Sequence, residues 1–222
     1  LQEAISCFLE QDYENKELIV LNNHPVPLEA DLPQVTIVNK PGHPTLGDCR
    51  NALLEMANGE LVRTWDDDDL YLPWAISQGV KGLFSNDVWQ SFKPEKSWDC
   101  RGNNELRLGS NVYEASWTTY RDAIVKIGGY KSSGGDEHNP LSFKLIHGSK
   151  KVRPSYIYRW ASGLHRISGK LGSYSIEKQH EEHCQHNQDH GNGKPLEKCD
   201  LSKYWRMVED AEKTFFDSWT DK

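Results

Sequence analysis

Asp66-Asp67-Asp68-Asp69 is the run in this sequence with the clearest chemical consequence. It follows the apolar stretch Leu61-Val62-Arg63-Thr64-Trp65 directly and precedes Leu70-Tyr71-Leu72-Pro73. Adjacent carboxylates repel one another unless a cation neutralises them, and hard divalent ions such as Mg²⁺ or Mn²⁺ take carboxylate oxygens as ligands. If the stretch before the run is a strand of an open α/β sheet, the run stands at its carboxyl end, where such sheets bind ligands. Taken alone, four Asp residues are equally a solvated turn.

The elements that must hold this run are written in the hydrophobic pattern. Leu1, Ala4, Ile5, Phe8 and Leu9 recur at helical spacing and predict an amphipathic helix ending near Gln11-Asp12-Tyr13. Glu17 to Leu21 and Val35 to Val38 are short apolar runs closed by Asn22-Asn23-His24-Pro25 and Asn39-Lys40-Pro41-Gly42, the pattern of buried strands. Thr45 or Asp48 opens a helix that carries Ala52, Leu53, Met56 and Ala57 on one face and closes at Gly59. Leu61 to Trp65 is a third strand, and Pro73 suits the first turn of a helix reaching about Phe84. This alternation predicts an α/β layer with a mostly parallel sheet.

From Ser85 to Trp117 aromatic residues are interleaved with Asn, Gly, Lys and Glu, which predicts short antiparallel strands and loops. Helices are expected over Thr119 to Ile127 and Leu141 to Ile146, and a strand over Val152 to Trp160 that Pro154 partly demotes to an edge. Ile176 to Lys198 reads as a polar linker or surface helix. Leu201, Tyr204, Trp205, Val208, Ala211, Phe215 and Trp219 form an apolar stripe, so a helix starting near Asp200 or Ser202 should dock on the body.

Composition bounds the function. The 222 residues, 36% apolar and 27% charged, suit one large domain with a small appendage. The balance of 26 basic against 33 acidic residues, a net charge of -7, disfavours nucleic acid and anionic membranes as partners. No apolar run approaches the roughly 18 residues of a membrane span, and no signal-peptide pattern opens the chain. Five cysteines without a CxxC pair predict free thiols, so a cytoplasmic location is expected. The opening residues already read as mid-helix, which predicts further sequence upstream.

Three blocks in order resemble the nucleotide-sugar half of a family 2 glycosyltransferase of the GT-A fold. They are Gln11 to Val20 (QDYENKELIV), Gly47-Asp48-Cys49-Arg50-Asn51-Ala52 with Ala57-Asn58-Gly59-Glu60, and Trp65-Asp66-Asp67-Asp68-Asp69 with Pro73. The resemblance covers about residues 1–84 closely and 115–147 more loosely. It implies a GT-A-like (Rossmann-like) α/β domain over 1–175, a mixed sheet flanked by helices, with a donor half at about 1–84 and an acceptor half at about 85–175. The polar segment and docking helix then occupy 176–222.

The resemblance also implies roles. Asp66, Asp68 and Asp69 match the family's metal-binding Asp-x-Asp-Asp element. Of these, Asp68 and Asp69 are assigned to Mn²⁺ or Mg²⁺, while Asp66 and Asp67 face the donor. Arg50 matches an Arg-Asn pair beside the donor. Asn23 stands where the family has an Asp facing the nucleotide base, and an amide can still bond a uracil edge. The family's first strand would lie just before Leu1. Tyr158-Arg159-Trp160 and His165-Arg166 fall where GT-A enzymes place a loop that closes on the diphosphate, with His165 as a third metal ligand and Arg159 and Arg166 as phosphate partners.

Gly128-Gly129-Tyr130 and Gly134-Gly135-Asp136-Glu137-His138 resemble the family's Gly-Gly-Tyr turn and the Glu-Asp pair whose carboxylate deprotonates the acceptor. Residue type places that pair on Asp136-Glu137, whereas counting back from Leu141 places it on Glu137-His138. Asp136 is taken as the base and Glu137 as its neighbour. His180, His183, His186 and His190, with Cys184 and Cys199, invite a zinc reading, but their spacing matches no familiar site.

The implied activity is metal-dependent transfer of a sugar from a nucleotide donor, UDP-linked by expectation, to a glycan or other hydroxyl acceptor with inversion. The same chemistry on a modified DNA base and a non-catalytic sugar-nucleotide-binding module are the alternatives.

Overall fold

The computed structural model describes residues 1–101, 105–111, 113–134, 136–159 and 196–215. Helix α1 (Gln2–Leu9) buries Ala4, Ile5, Cys7 and Phe8, the face that the spacing picks out. Its end is fixed by Gln11, whose amide donates to Cys7 O at 3.0 Å and Leu72 O at 2.9 Å and accepts from Ile76 N at 2.9 Å. Strands β1 (Leu18–Asn22) and β2 (Val35–Asn39) pair in parallel, Leu18 opposite Val35. Helix α2 (Leu46–Met56) is capped by Thr45, whose Oγ1 accepts from Asp48 N at 3.2 Å, so Thr45 and not Asp48 opens it.

Next come β3 (Leu61–Val62), β4 (Leu70–Tyr71) and α3 (Ala75–Leu83). Strand β3 is shorter than the apolar stretch suggests, because Arg63 turns in to donate to Ala75 O at 2.7 Å and Ala115 O at 3.1 Å. The middle of the chain supplies β5 (Ser91–Pro94), β6 (Lys96–Arg101), β7 (Glu105–Ser110) and β8 (Thr118–Tyr120). Helices α4 (Arg121–Lys126) and α5 (Asn139–Lys144), strands β9 (His147–Lys150) and β10 (Tyr156–Arg159), and helix α6 (Ser202–Phe215) complete it.

The sheets are mixed, as the resemblance implies and the alternation alone does not: a pair β1-β2, a sheet in the order β4-β10-β6-β7 and a sheet in the order β3-β8-β5-β9. Thr119 and Tyr120 belong to strand β8 where the expected helix would begin, as β-branched and aromatic residues favour, and Ser91 Oγ meets Thr119 Oγ1 at 2.8 Å. Strand β10 is interior, between β4 and β6, and not an edge. Pro154 lies before the strand, so no ladder bond is lost to it. Strand β9 has no apolar alternation to announce it; Gly148 lets the backbone pass under Trp89, where a Cβ would lie 1.9 Å from the ring.

Helix α6 docks through Tyr204 and Val208, with Leu201 just before it, onto the core of Leu70, Tyr71, Trp98, Tyr156 and Ile157. Arg153 stacks on Trp74 with its guanidinium carbon 3.6 Å from the ring centroid, and its Nε and Nη2 both reach Glu212 of α6 at 2.7 Å. No described helix is long and apolar enough to cross a membrane.

Candidate functional site

The acidic run is the turn between β3 and β4. Its start is pinned by Trp65, which stacks on Tyr71 at 3.7 Å between centroids and donates from its indole to Ala4 O at 2.9 Å. Asp66 N donates to the Tyr71 hydroxyl at 2.6 Å. The run then divides. Asp69 is 1% exposed, accepting from the Tyr156 hydroxyl on Oδ2 and from Arg159 N at 2.9 Å on Oδ1. Asp66, Asp67 and Asp68 stay partly exposed. Asp69 thus ties the turn to β10 with both oxygens, which places it apart from the others as a metal ligand.

Arg159 is likewise an internal fastener. Its Nε donates to Asp68 O and its Nη1 to Glu3 Oε2, each at 2.5 Å, while the Tyr204 hydroxyl donates to Glu3 Oε1 at 2.8 Å. One buried guanidinium therefore holds α1, the acidic turn and α6 together rather than facing the cleft as a phosphate partner. His165 and Arg166 lie outside the described residues.

Arg50, on α2, gathers the charges. Its Nη1 lies 3.0 Å from Glu114 Oε2 and 2.9 Å from Glu137 Oε1, and its Nη2 lies 3.4 Å from Asp66 Oδ1. Glu114 also accepts from Thr64 Oγ1 at 2.7 Å and from the Tyr130 hydroxyl at 3.1 Å. Nothing in the sequence marks Glu114 for this role; it opens a single 3-10 turn and lies 64 positions from Arg50. Asn51 bolts the Gly-Gly-Tyr turn to α2, donating to Tyr130 O at 2.9 Å and accepting from Tyr130 N at 2.8 Å. Gly129, at φ +76°, needs glycine there, since a Cβ would lie 2.5 Å from Asn51 Oδ1.

The electrostatics follow from one cation among many anions. Burial pushes the Asp66 carboxyl up to about 8, with Asp69, Asp68 and Glu114 adding to the effect against the pull of Arg50. Glu137 is also buried, but the neighbouring His138 and the Arg50 charge outweigh burial and hold it below the usual carboxylate range. His138 is raised, chiefly by Glu137. Asp136 faces the other way: it bonds Lys131 Nζ and Ser133 Oγ, each at 2.5 Å, and its carboxyl is lowered by them. The structure therefore couples Glu137, not Asp136, to Arg50.

A cavity of about 890 Å³ brings Asn23, Arg50, Asp66 and Asp67 together, with His43, Thr45, Thr64 and Tyr130 on its wall. Asn23 spends its amide within the protein, donating to His43 O at 2.8 Å and accepting from His43 N at 3.0 Å, so it shapes the wall more than it offers free bonds. Among the described residues no group of three or more His, Cys, Asp or Glu side chains is arranged to hold a metal. Hard carboxylates at Asp66 and Asp68 still suit Mg²⁺ or Mn²⁺, which commonly take one or two protein carboxylates and draw their other ligands from substrate phosphates and water.

The mixed α/β fold is that of GT-A glycosyltransferases among solved structures. Residues 1–97 match Glycosyl transferase family 2. Among solved structures, Staphylococcus aureus TarS 1-349 in complex with UDP aligns with a TM-score of 0.56 at 11% identity, over 71% of this chain and 55% of that one. The mannosyltransferase PcManGT from Pyrobaculum calidifontis, in complex with GDP-Man and Mn²⁺, aligns with a TM-score of 0.51 at 12% identity, over 100% of this chain and 72% of that one. At these identities the likeness shows the fold. The chain spans little more than half of the TarS fragment, and no curated protein matches it.

Proposed function

We propose that the chain transfers a sugar from a nucleotide donor, UDP-linked, to a hydroxyl acceptor, with inversion and with a divalent cation at the acidic turn. The observation that carries this reading is the Arg50 hub: Glu114 and Glu137 outnumber the one guanidinium they share, and Asp66, its carboxyl raised to about 8, carries a proton that a cation would displace. A cavity end with surplus negative charge does not attract a free diphosphate, but it suits a diphosphate that arrives with a cation. Asp66 and Asp68 would hold that cation, which supplies positive charge opposite the leaving phosphate.

The protein's own groups do the remainder. Arg50 keeps Asp66 turned into the cavity and fixes the 136–138 turn across from it. Tyr130 and Thr64 hold Glu114 in place, so the hub is set before substrate arrives. The acceptor hydroxyl must lose its proton to a group on that turn as its oxygen attacks the anomeric carbon.

The deciding experiment measures nucleoside diphosphate release from a panel of UDP- and GDP-sugars with Mn²⁺ or Mg²⁺. Release from one donor that is abolished by EDTA and by Asp68→Ala supports the transferase. Absence of release together with absence of Mn²⁺-dependent nucleotide binding in calorimetry overturns it, and binding without release supports the non-catalytic module instead.

A further inference from the structure

Asp68 is held by one residue of β10. Arg159 Nε donates to Asp68 O at 2.5 Å, and the Arg159 backbone N–H donates to Oδ1 of the next residue, Asp69, at 2.9 Å. The backbone at Asp68 cannot turn without straining these bonds, so the direction in which its carboxylate leaves the chain depends on where the guanidinium lies. Arg159 is 5% exposed, and its own protein partners decide that orientation.

Those partners stand on two helices far apart in sequence. Nη1 donates to Glu3 Oε2 on α1 at 2.5 Å, and the hydroxyl of Tyr204 on α6 donates to Glu3 Oε1 at 2.8 Å. The same hydroxyl lies 3.4 Å from Arg159 Nη1, which closes a triangle of three side chains. Docking of α6 has other means: the Tyr204 ring and Val208 pack on the core, Trp205 Nε1 donates to Glu10 Oε2 at 2.8 Å, and Cys199 N donates to Ser6 Oγ at 2.8 Å. The hydroxyl adds orientation of Glu3, and through it of Arg159.

Resting on the transferase reading above, we propose that Tyr204 is a positioning residue for the divalent cation at the acidic turn, acting through Glu3 and Arg159 on Asp68, and that it links docking of α6 to cation binding. Groups that orient a ligating side chain tune its affinity for metal, and their loss weakens binding by about 10- to 100-fold. The link is reciprocal. Whatever factor the docked helix adds to cation affinity, the bound cation returns to the docking of the helix.

The test uses the full chain and two readouts that need no turnover. The first is the affinity for Mn²⁺, followed by the electron paramagnetic resonance signal of the free ion, with and without UDP or GDP. It compares the parent with Asp68→Ala, Tyr204→Phe and Val208→Ala. Tyr204→Phe keeps the ring and should bind Mn²⁺ about 10-fold more weakly, whereas Val208→Ala, which only loosens the packing of α6, should stay within about twofold of the parent while losing more in melting temperature.

Mn²⁺ binding that Asp68→Ala abolishes and Tyr204→Phe leaves unchanged overturns the positioning role and leaves the transferase reading standing. Equal weakening in Tyr204→Phe and Val208→Ala also overturns it, since general loosening would then suffice. A parent that binds no Mn²⁺, alone or with either nucleotide, removes both.

The second readout is amide hydrogen exchange along α6, residues 202–215. Saturating Mn²⁺ with UDP should slow exchange there in the parent by up to the factor that separates the two affinities, and should have no such effect in Tyr204→Phe. Exchange in the parent that is the same with and without Mn²⁺ overturns the link between the turn and the helix.

Discussion

Arg50 on α2 and Glu137 on the turn before α5 stand 2.9 Å apart, 87 positions distant in sequence, with the two side chains 12% and 5% exposed. This pair joins the acidic turn, through Asp66, to the turn that carries His138. Withdrawing the cation would leave buried carboxylates uncompensated, which costs more than the pair gains by forming.

Arg50→Ala is therefore expected to lower stability by about 3 to 5 kcal/mol. Arg50→Lys should recover little of it, because a single ammonium cannot fork toward three carboxylates. Urea unfolding of the three proteins checks this. Full recovery by lysine would mean that charge alone, and not the geometry of the guanidinium, is what the site needs.

Asp68 and Asp69 should behave as opposites despite their adjacency. Asp69→Asn removes the charge that accepts from Tyr156 and Arg159 N, and is expected to cost about 1.5 to 3 kcal/mol. Asp68→Ala should leave the melting temperature within a few degrees and abolish Mn²⁺-dependent donor release. Differential scanning calorimetry beside the release assay separates the two.

The Glu3 carboxyl is pushed up by burial, yet the charge and hydrogen bond of Arg159, with help from Tyr204, outweigh that and leave it lowered. A lowered carboxyl adds stability above its unfolded value, near 4.3, and loses it as pH falls through the folded value. Acid unfolding should accordingly steepen below about pH 4, and Glu3→Gln should flatten that limb while lowering stability at neutral pH. Melting temperatures at a series of pH values from neutral to acid report both effects. An unchanged acid limb in Glu3→Gln would show that the pair is not what titrates.

Gly82 lies within α3, where Gly→Ala ordinarily stabilises. Here a Cβ would come 2.3 Å from the Phe92 ring, which is itself fully buried. Gly82→Ala is expected to destabilise by about 1 to 3 kcal/mol, and Gly82→Ala with Phe92→Leu to recover part of that. Denaturation of the single and double variants tests the pairing.

Much of the framework was legible in the hydrophobic pattern, and the reasons are local. Helix α1 and strands β1 and β2 announce themselves because each must bury a continuous apolar face and each is closed by turn residues. Strand β4 is two residues long and hidden inside the motif that follows the acidic run, so no periodicity can mark it. The site was legible only in part. The Asp run and Arg50 are visible as residue types, but Glu114 reaches Arg50 through tertiary packing that no spacing encodes. The division between Asp68 and Asp69 depends on Tyr156 and Arg159, 87 and 90 positions beyond Asp69. Residue type favoured Asp136 on the later turn; the geometry instead buries Glu137 against Arg50.

All of Leu18 to Asn22 and all of Leu61 to Asp67 line the same cavity. Successive residues of a strand alternate between its faces, so an unbroken run along a wall means that the strand's edge forms it. Among the described residues β1 is paired only on the side of β2 and β3 only on the side of β8. The opposite edges face the cavity. Such edges are adhesive: they offer a ready ladder to any extended peptide, another copy of the chain included.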